Sequence, residues 1–593
     1  MSVNYYENVN KVYEIVNNNT LIARLVGILK QQLLYGGIIM TYEHELLQLT
    51  NSVLDDYVDT DVVPEQVAED IINLCNSVIN IHNDDIKGRK ANNTASPADI
   101  NWDVLKTLKP FQVARILLVL HKVVNIDTGK ADVNKDDNEN FLLGVYNETG
   151  KEEERGLYLT GTEVVRLLAR AYKPSLNNKE FAEMISYLHD YAPIVRRCEN
   201  EYYVPVKNGV FNKITKQLEP FTPDLVFLSK TNVDYNPNAK NIVIHNDEDG
   251  TDWDFDSWLP DLFNNSKGLT LLMLQIIGAS LQPMRNWGKA VFFFNTKGNG
   301  GKGTICSLIR NILGFHNCAS IQLVDMAKRF DMGQIIGKQA IITDENDVGA
   351  FVESANAFKC LVTHDPVKIE RKYKDPISYI FMGFIIQCFN DLPKSKDKTD
   401  SFYRRQLFVP FPKSFTGAER KYIKDDYLKR KEVLEYVQYK VLNMDYNELS
   451  EPEECRDLLS EYKTLNDPIR DCLEEILPEI ANDVVPTQFI YDVYKAWYRK
   501  NVDGGKPKSS REFMKPLREF IESDGAKYGF EIEDRKQTCD FDKQEDLIQF
   551  YKLEDWRSDF YTDFKNPKSG NVNAMKKSKY YNTVLRRGKK ADA

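Results

Sequence analysis

Residues 296–304 of this chain read Thr296-Lys297-Gly298-Asn299-Gly300-Gly301-Lys302-Gly303-Thr304, a glycine-rich stretch between two apolar segments. The run AVFFFN (290–295) precedes it with strand character, and ICSLIRNIL (305–313) follows with apolar residues at helical spacing. Between a strand and a helix, such a loop lets backbone N–H groups converge on phosphate oxygens at the positive end of the helix. The stretch therefore predicts a phosphate-binding loop, with the charge of Lys302 at the β- and γ-phosphates.

The loop departs at two positions from the usual pattern G-x-x-x-x-G-K-[ST]. Thr296 stands at the first glycine position, and Gly303 follows Lys302. The hydroxyl group that usually contacts Mg²⁺ therefore comes one residue later, at Thr304. A glycine-rich turn that only joins a strand to a helix is the alternative interpretation. The candidate nucleotide ligands are Lys297, Gly298, Asn299, Gly300, Gly301, Lys302, Gly303 and Thr304.

Two later strand-like segments also end in polar residues. QAIIT (339–343) is followed by Asp344 and Glu345, and YIFMGFIIQCF (379–389) is followed by Asn390. Because parallel strands end at one edge of a sheet, we expect these residues to meet the phosphate loop there. Asp344 is expected to hold Mg²⁺ through water, Glu345 to polarise the attacking water, and Asn390 to sense the γ-phosphate. ATP and Mg²⁺ are the predicted cofactors; an exposed acidic strand end and a simple turn are the alternatives.

Arg404 and Arg405 follow in the segment DSFYRRQLFVPF (400–411). Nucleoside triphosphatases that form rings often receive an arginine from the neighbouring subunit, which stabilises the charge of the transferred phosphoryl group. Either arginine is a candidate for this role, and the sequence does not choose between them. A structural salt-bridge pair is the alternative.

Taken in order, these motifs resemble those of superfamily 3 helicases and, more narrowly, of the phage, plasmid and poxvirus primase-helicase family. KGNGGKGT resembles the family's Walker A motif, in which Gly303 is a tolerated variant and Gly300 replaces the usual asparagine. FDMGQIIGKQAIITDEND resembles the approach to Walker B, and IIQCFNDLP with DSFYRRQLFVPF resembles the sensor and arginine segment. YVPVKNGVFNKITKQLEPFTPD and VDYNPNA look like the domain that precedes the helicase core. The resemblance covers about residues 140–430.

The resemblance implies a homohexameric ring that uses ATP to translocate along one DNA strand, usually from 3′ to 5′. It also implies a DNA-facing hairpin within FKCLVTHDPVKIERKYKDP (358–376). Arg371, Lys372 and Lys374 near its tip are candidate contacts for DNA phosphates, and a solvated basic turn is the alternative. Single-stranded and forked DNA are the expected substrates. A primase, a loader or a single-strand-binding protein are further partners that the resemblance allows.

The whole sequence predicts a multidomain α/β protein with a central P-loop ATPase built on an AAA+ like parallel sheet. The predicted parts are a mostly helical N-terminal domain (1–140), an α+β domain (141–265), the ATPase core (266–430), a helical connector (431–483), a winged-helix-like domain (484–560) and a basic tail (561–593). No membrane-spanning segment is predicted.

The C-terminal domain is predicted from two helices and two strand-like runs. The first helix covers 487–500, and the second begins at Ser509, with Glu512 three residues later as in a capping box. YGFEIED (528–534) and LIQFYKL (547–553) have strand character, and this order is typical of a winged helix. The candidate DNA contacts of this domain are Arg511, Lys515 and Arg518. Simple solvation of these basic residues is the alternative.

Composition limits the class of protein. The 593 residues are 42% hydrophobic and 28% charged, which excludes a wholly disordered chain. The 78 Lys and Arg residues against 88 Asp and Glu residues give a net charge of −10, which argues against a protein that coats nucleic acid through bulk positive charge. The nine cysteines are scattered without a C-x-x-C pattern, and the N-terminus lacks a signal-peptide pattern. We therefore expect no zinc ribbon and a cytoplasmic location in a bacterial host.

The leading hypothesis is an ATP-hydrolysing replicative DNA helicase of a phage or other mobile genetic element. A role as replication initiator, through the C-terminal domain, is a further hypothesis. An ATP-switched DNA-binding assembly or initiation factor without processive unwinding stays open as an alternative. So does a bifunctional primase-helicase, although residues 1–140 offer neither a zinc-ligand pattern nor a clear metal-binding carboxylate motif.

Overall fold

The computed structural model describes residues 41–587, with gaps at 59–61, 98, 130–140, 149, 329–330, 348–350, 353, 372–373, 396, 398, 502–505, 536, 539–544, 557–579 and 582. Residues 1–40 of the predicted N-terminal domain lie outside these ranges. The described chain forms two compact units, of which the first comprises 41–127, 141–147 and 158–196. None of the described helices is both long enough and apolar enough to cross a membrane.

The first unit contains helices and a four-stranded sheet. Its elements are α1 (Tyr42–Leu54), α2 (Pro64–Ala91), α3 (Pro110–Leu120), β1 (Val124–Asp127), β2 (Phe141–Tyr146), β3 (Tyr158–Thr160), α4 (Thr162–Tyr172), α5 (Asn178–Tyr191) and β4 (Ile194–Arg196). The strands lie in the order β3-β2-β1-β4, in which β1 is antiparallel to β2 and parallel to β4. Helix α5 begins with a capping box, because the side chains of Asn177 and Glu180 each accept from the other's backbone N–H.

The predicted boundary at residue 140 falls inside this first unit. β1 precedes that boundary and β2 follows it, yet the two strands pair from Val124↔Gly144 to Asp127↔Phe141. Helices from both sides of the boundary also share one hydrophobic core, to which α2 and α3 contribute with α4 and α5. A polar stretch of sequence does not distinguish a connection inside a sheet from a connection between domains, which is why the sequence suggests a boundary here.

The second unit begins with small antiparallel sheets and two helices. Its first elements are β5 (Tyr203–Val206), β6 (Gly209–Asn212), β7 (Gln217–Glu219), β8 (Ile244–Asn246), β9 (Thr251–Trp253), α6 (Phe255–Leu262) and α7 (Lys267–Ser280). The strands β5-β6-β7 form one sheet and β8-β9 a hairpin. Phe211, Trp253 and Leu272 from this part belong to the large cluster that also covers the central sheet. Residues 197–265 therefore share a core with the region that follows.

A five-stranded sheet lies at the centre of the second unit. This region contains β10 (Ala290–Phe294), α8 (Lys302–Leu313), β11 (Cys318–Ala319), β12 (Ala340–Thr343), β13 (Phe351–Val352), α9 (Asn356–Val362), β14 (Val367–Arg371), β15 (Lys374–Tyr379), β16 (Phe384–Phe389), β17 (Lys394–Ser395), α10 (Asp400–Tyr403), β18 (Gln406–Pro410), α11 (Lys421–Asp425) and α12 (Lys431–Leu442). The strand order is β11-β12-β16-β10-β18, and every neighbouring pair is parallel. The predicted parallel sheet is thus confirmed, and its strands end at one edge.

Both faces of this sheet are covered, which explains why its strands are continuously apolar. On one face, Val291 and Phe293 pack in the cluster that contains residues of α7, α8 and α12. On the other face, the ring of Phe292 contacts the rings of Phe358, Phe389 and Phe408, with centroid distances of 6.0, 5.1 and 5.0 Å. Successive residues of β10 therefore point alternately into two cores, as the strand period of two requires.

The C-terminal part contains a helical connector followed by helices and short strands. Its elements are α13 (Glu453–Asn466), α14 (Pro468–Ile476), β19 (Val484–Pro486), α15 (Thr487–Asn501), α16 (Ser510–Tyr528), β20 (Phe530–Glu533), β21 (Gln537–Thr538), α17 (Glu545–Tyr551), β22 (Tyr580–Tyr581) and β23 (Val584–Arg587). Helices α15 and α16 lie where the sequence predicts them, and Ser509 and Glu512 form the predicted capping box. A three-stranded sheet has the order β19-β23-β20.

Two expectations for this part differ from the structure. The run LIQFYKL lies largely in helix α17 and not in a strand; Leu547, Ile548 and Tyr551 are buried on one helical face, while Phe550 is exposed. The predicted basic tail supplies β23, the central strand of the C-terminal sheet. A four-residue strand with two apolar residues in a basic segment gives no periodic signal, so the sequence could not indicate it.

Candidate nucleotide-binding site

The glycine-rich loop joins the carboxyl end of β10 to the first turn of α8, which begins at Lys302. Gly298, Asn299 and Gly301 have φ angles of 67°, 47° and 93°, in the left-handed region. Gly301 directly precedes the helix, where a residue with a side chain would be strained. The loop therefore leads straight into a helix N-terminus, whose first backbone N–H groups and dipole favour an anion.

Gly300 occupies the most crowded position of the loop. A Cβ atom there would lie 2.6 Å from Nδ2 of Asn295 and 3.0 Å from the backbone oxygen of Lys413. Asn295 uses Nδ2 to donate to the backbone oxygens of Phe411 and Lys413, at 2.6 and 3.0 Å. This contact leaves room only for glycine at position 300, where the family usually has asparagine. Oδ1 of Asn295 is buried and has no hydrogen-bond partner within the described ranges, so it can still accept from a ligand or water.

Lys302 and Asn390 meet at the edge of the sheet, as the sequence predicts. The Lys302 side chain is almost fully buried, and its Nζ donates to Oδ1 of Asn390 at 2.5 Å and to the backbone oxygen of Asn295 at 3.3 Å. Burial lowers the pKa of Lys302, because desolvation disfavours the charged form. A desolvated ammonium group held by two neutral oxygens is suited to gain an anionic partner, such as a phosphate.

Asp344 and Glu345 follow β12 and are exposed at the same edge. Asp344 accepts a hydrogen bond from Arg310 at 2.7 Å, and Arg310 also donates to the backbone oxygen of Ile342 at 2.9 Å. Arg310 lies on α8, two turns after Lys302. The sequence gives only its position on that helix, so the pattern does not identify it. This ion pair ties the end of β12 to the helix that follows the phosphate loop.

A cleft of about 540 Å³ opens beside Asp344 and Glu345. Asp325 and Asp331 add two more carboxylates to its lining. Carboxylate oxygens of this kind are ligands that Mg²⁺ prefers, since it binds a few carboxylates and keeps several waters. Thr304, the predicted hydroxyl ligand, lies on the first turn of α8 and not in the lining of this cleft. The residues present at this edge therefore fit a nucleotide-bound Mg²⁺ ion.

Two amide side chains that the sequence pattern does not indicate, the half-buried Asn346 and the buried Gln387, hold the turn after Glu345. Nδ2 of Asn346 donates to Oε1 of Gln387 and to the backbone oxygen of Cys388, each at 3.1 Å. Oδ1 of Asn346 accepts from the backbone N–H of Leu323 at 2.9 Å. The acidic turn after β12 is thereby fixed to β16, the strand that leads to the predicted sensor residue.

Arg404 and Arg405 lie between α10 and the edge strand β18, and their environments differ. Arg405 donates from one guanidinium nitrogen to the backbone oxygen and to Oγ of Ser401, at 2.6 and 2.7 Å. Its backbone oxygen accepts from Ala290 at 2.7 Å. Arg404 is exposed. Arg405 therefore binds within its own chain, whereas the side chain of Arg404 is at the surface.

The predicted DNA-facing segment contains a β-hairpin made of β14 and β15. The strands pair antiparallel as far as Arg371↔Lys374, next to an irregularity that follows Ile369. Ile369 and Ile377 are buried and anchor the hairpin. Arg371 and Lys374 thus lie at the end next to the turn, and Lys372 lies outside the described residues. That these three residues contact DNA stays a prediction.

The three basic candidates of the C-terminal domain all lie on α16. Arg518 donates two hydrogen bonds to Asp534, at 2.9 and 2.6 Å. Lys515 is 83% exposed and lies 3.6 Å from Glu519, and Arg511 is exposed. Arg518 is therefore paired with an acidic residue of its own domain at the surface, while Arg511 and Lys515 remain accessible to a partner.

Three segments of the chain match protein families. Residues 121–264 match the family described as D5 N terminal like, and residues 465–558 match the poxvirus D5 protein-like family. The resemblance to the phage, plasmid and poxvirus primase-helicase family is confirmed. Residues 285–405, between the two D5-like segments, match a family of unknown function, DUF5906. No curated protein sequence matches the chain.

Two solved structures are similar in part to this chain. The A form apo structure of the NrS-1 C terminal region is 14% identical, with a TM-score of 0.37 over 69% of this chain and 93% of that chain. The structure described as the active helicase Cch of SCCmec type IV is 13% identical, with a TM-score of 0.33 over 67% of this chain and 88% of that chain.

Proposed function

We propose that this chain is an ATP-dependent replicative DNA helicase of a phage or other mobile genetic element, which works as a homohexameric ring on single-stranded DNA. One observation carries the proposal: Nζ of Lys302, at the start of α8, donates to Asn390 at the end of β16. Asp344 and Glu345 end the neighbouring strand β12 at the same edge. The D5-like matches on both sides of this region support a phage-type replication helicase or primase-helicase in general.

The strand order supports an AAA+ like ATPase. β10, which leads into the phosphate loop, lies between β16, which leads to the sensor asparagine, and β18, which follows the arginine pair. The helix α13 packs against the edge strand β18, where Tyr462 meets Phe408, but Arg404, just before that strand, is exposed. In a ring, its side chain could approach a neighbouring subunit. Arg404 is therefore the better candidate for the arginine that completes the neighbour's site, since Arg405 is bound to Ser401.

Each residue of the site would have a separate role in the transfer of the phosphoryl group to water. Lys302 would bind the β- and γ-phosphates, while Thr304 and Asp344 would hold Mg²⁺, the latter through water. When bound, Mg²⁺ neutralises charge on the phosphates. Glu345 would orient and polarise the attacking water. In this structure Asn390 accepts a hydrogen bond from the ammonium group of Lys302. A bound γ-phosphate would compete with Asn390 for that ammonium group, and Asn390 would sense the phosphate in this way.

Coupling to DNA would pass through the hairpin of β14 and β15. The sensor strand β16 follows this hairpin directly along the chain. A movement of Asn390 at the end of β16 would therefore be transmitted to the hairpin through a short stretch of backbone. Six copies of Arg371, Lys372 and Lys374 around a central channel would supply positive charge locally, in spite of the negative net charge of the chain. The direction expected from the resemblance is 3′ to 5′.

The test is ATP-dependent unwinding of forked DNA that carries either a 3′ or a 5′ single-stranded tail, by the wild type and by Lys302→Ala. Separation of one fork type only, lost in the variant, supports a helicase and assigns its direction. ATP hydrolysis stimulated by single-stranded DNA without strand separation would favour an ATP-switched assembly factor. Primer synthesis on a single-stranded template would favour the bifunctional primase-helicase. Failure of the wild type to hydrolyse ATP would contradict the proposal.

A further inference from the structure

We infer that Lys424 is a second cation for the nucleotide phosphates, supplied by the chain segment that follows the edge strand β18. The inference rests on the proposed nucleotide site and adds to it a residue that lies outside every motif. Nζ of Lys424 lies 3.7 Å from the point that a Cβ atom would occupy on Gly303, the second residue of α8. Its ammonium group is thus at the N-terminus of the same helix that begins with Lys302.

Residues 411–424, which we call the covering segment, run along the phosphate loop. The backbone N–H of Phe415 donates to the backbone oxygen of Asn299 at 3.0 Å, and Nδ2 of Asn299 donates to Glu419 at 2.7 Å. A Cβ atom on Gly301 would lie 3.8 Å from the ring of Phe415. The covering segment therefore has a defined place relative to the loop, and its position does not depend on Lys424.

The residues next to Lys424 are fixed to the core. The hydroxyl of Tyr422 donates to Asp249 at 2.7 Å, and the side chain of Ile423 is buried in the central cluster. Asp426, two residues later, is bound by Arg430 at 2.6 Å. The side chain of Lys424 itself is exposed, so its attachment point next to the loop is held while its ammonium group can adjust to a ligand.

The electrostatics of this position favour an anion. The N-terminus of a helix carries partial positive charge, so cations are destabilising there. Lys302 and Lys424 bring two ammonium groups to the same helix end, and within the described ranges Lys424 has no ion-pair partner. A chain of phosphates bound in the loop would bring negative charge to this helix end, and it would be contacted from both sides, by the loop and by the covering segment.

The glycine at position 303 fits this role. The usual pattern has serine or threonine after the lysine, whereas glycine leaves the space in front of Lys424 open. A longer side chain at 303 would compete with the ammonium group for that space. The glycine at position 303, which departs from the usual pattern, thus leaves the space that the ammonium group of Lys424 occupies.

The experiment measures binding of Mg²⁺-ATPγS and of AMP to the full chain by calorimetry. The variants are Lys424→Ala, Lys424→Arg and, as the matched control, Lys421→Ala, which removes an exposed lysine from the same helix. We expect Lys424→Ala to raise the Kd for ATPγS by about 10- to 100-fold, the effect of one hydrogen bond to a charged group. Lys424→Arg should retain most of the affinity, and Lys421→Ala should leave it unchanged.

AMP separates a phosphate contact from damage to the loop. Because AMP lacks the β- and γ-phosphates, its affinity should be the same in the wild type and in Lys424→Ala. Equal loss for AMP and ATPγS would overturn the inference, as would an unchanged Kd for ATPγS in a folded Lys424→Ala protein. Absence of ATPγS binding by the wild type would overturn the proposed nucleotide site itself, and this outcome is distinct from the other two.

Discussion

The edge of the central sheet and the C-terminal sheet are both assembled from strands that are distant in sequence, yet the candidate site residues near them behave differently. At the edge of the central sheet, Lys302 and Asn390 come from different elements, and the side chain of Lys302 donates a hydrogen bond to that of Asn390. In the C-terminal part, the candidate residue Arg518 is bound by Asp534 of the same domain. Residues that follow parallel strands converge because the backbone directions require it, whereas residues on an amphipathic helix have no such constraint.

The largest effect is expected from replacing Arg404, which is exposed on the second unit. Arg404→Ala should lower ATP turnover by about 10³-fold, because a neighbouring subunit loses charge stabilisation in the transition state. ATP binding should remain, since the phosphate loop of each subunit is intact. Steady-state hydrolysis and ATPγS binding measure the two effects separately.

Mixing two inactive variants tests directly whether neighbouring subunits share the site. Arg404→Ala and Lys302→Ala are both inactive by our prediction, but a ring with both variants contains some sites with an intact loop and an intact neighbour. We expect partial recovery of hydrolysis on mixing. Arg405→Ala is the comparison variant, and it should lower stability instead, because Arg405 holds Ser401. A mixed sample that stays inactive would argue against a shared site.

The next effect concerns the C-terminal sheet. Leu585 is fully buried in β23, the strand that the predicted basic tail contributes. Leu585→Ala should destabilise this part of the chain by about 2–5 kcal/mol, the usual cost of a cavity in a core. Thermal unfolding should show an earlier transition, while ATPγS binding below that temperature is unchanged. A single transition at the wild-type temperature would mean that β23 is not part of the core.

A smaller effect is expected in the phosphate loop. Gly300→Ala places a Cβ atom 2.6 Å from Nδ2 of Asn295, so the loop or the covering segment must move. Overpacking of this kind costs about 1–3 kcal/mol, and it should appear both in stability and in ATPγS affinity. Gly88→Ala in helix α2 is the control, because its Cβ atom would meet nothing within 4 Å. Equal behaviour of the two variants would contradict the crowding at position 300.

The smallest effects concern DNA binding by α16. Lys515→Ala should reduce the salt dependence of DNA affinity by about one unit of slope if Lys515 contacts a phosphate. Arg518→Ala should instead lower stability by about 0.2–1 kcal/mol, because it breaks an exposed ion pair with Asp534. Fluorescence anisotropy at several salt concentrations separates the two. If Arg518→Ala, and not Lys515→Ala, changed the salt dependence of DNA affinity, Arg518 and not Lys515 would be the residue that contacts a phosphate.

The polar residues at the strand ends of the central sheet were predictable because their elements have strong local signals. The loop before α8, the apolar run before Asp344 and the apolar run before Asn390 each identify an element from a few neighbouring residues. The helical state of LIQFYKL (547–553) was not predictable in this way, because a short apolar run fits a helix as well as a strand. Tertiary packing, which buries Leu547 and Ile548 on one face of α17, favours the helix.

The sequence by itself determined that a strand, a glycine-rich loop and a helix follow one another, and that polar residues end two further strands of a parallel sheet. These features depend on local order and on backbone direction. The tertiary structure decided that Arg310 pairs with Asp344, that Arg405 is bound while Arg404 is exposed, and that Lys424 reaches the helix N-terminus. Each of these depends on side chains that meet across long sequence separations, and no local pattern of residues encodes such distances.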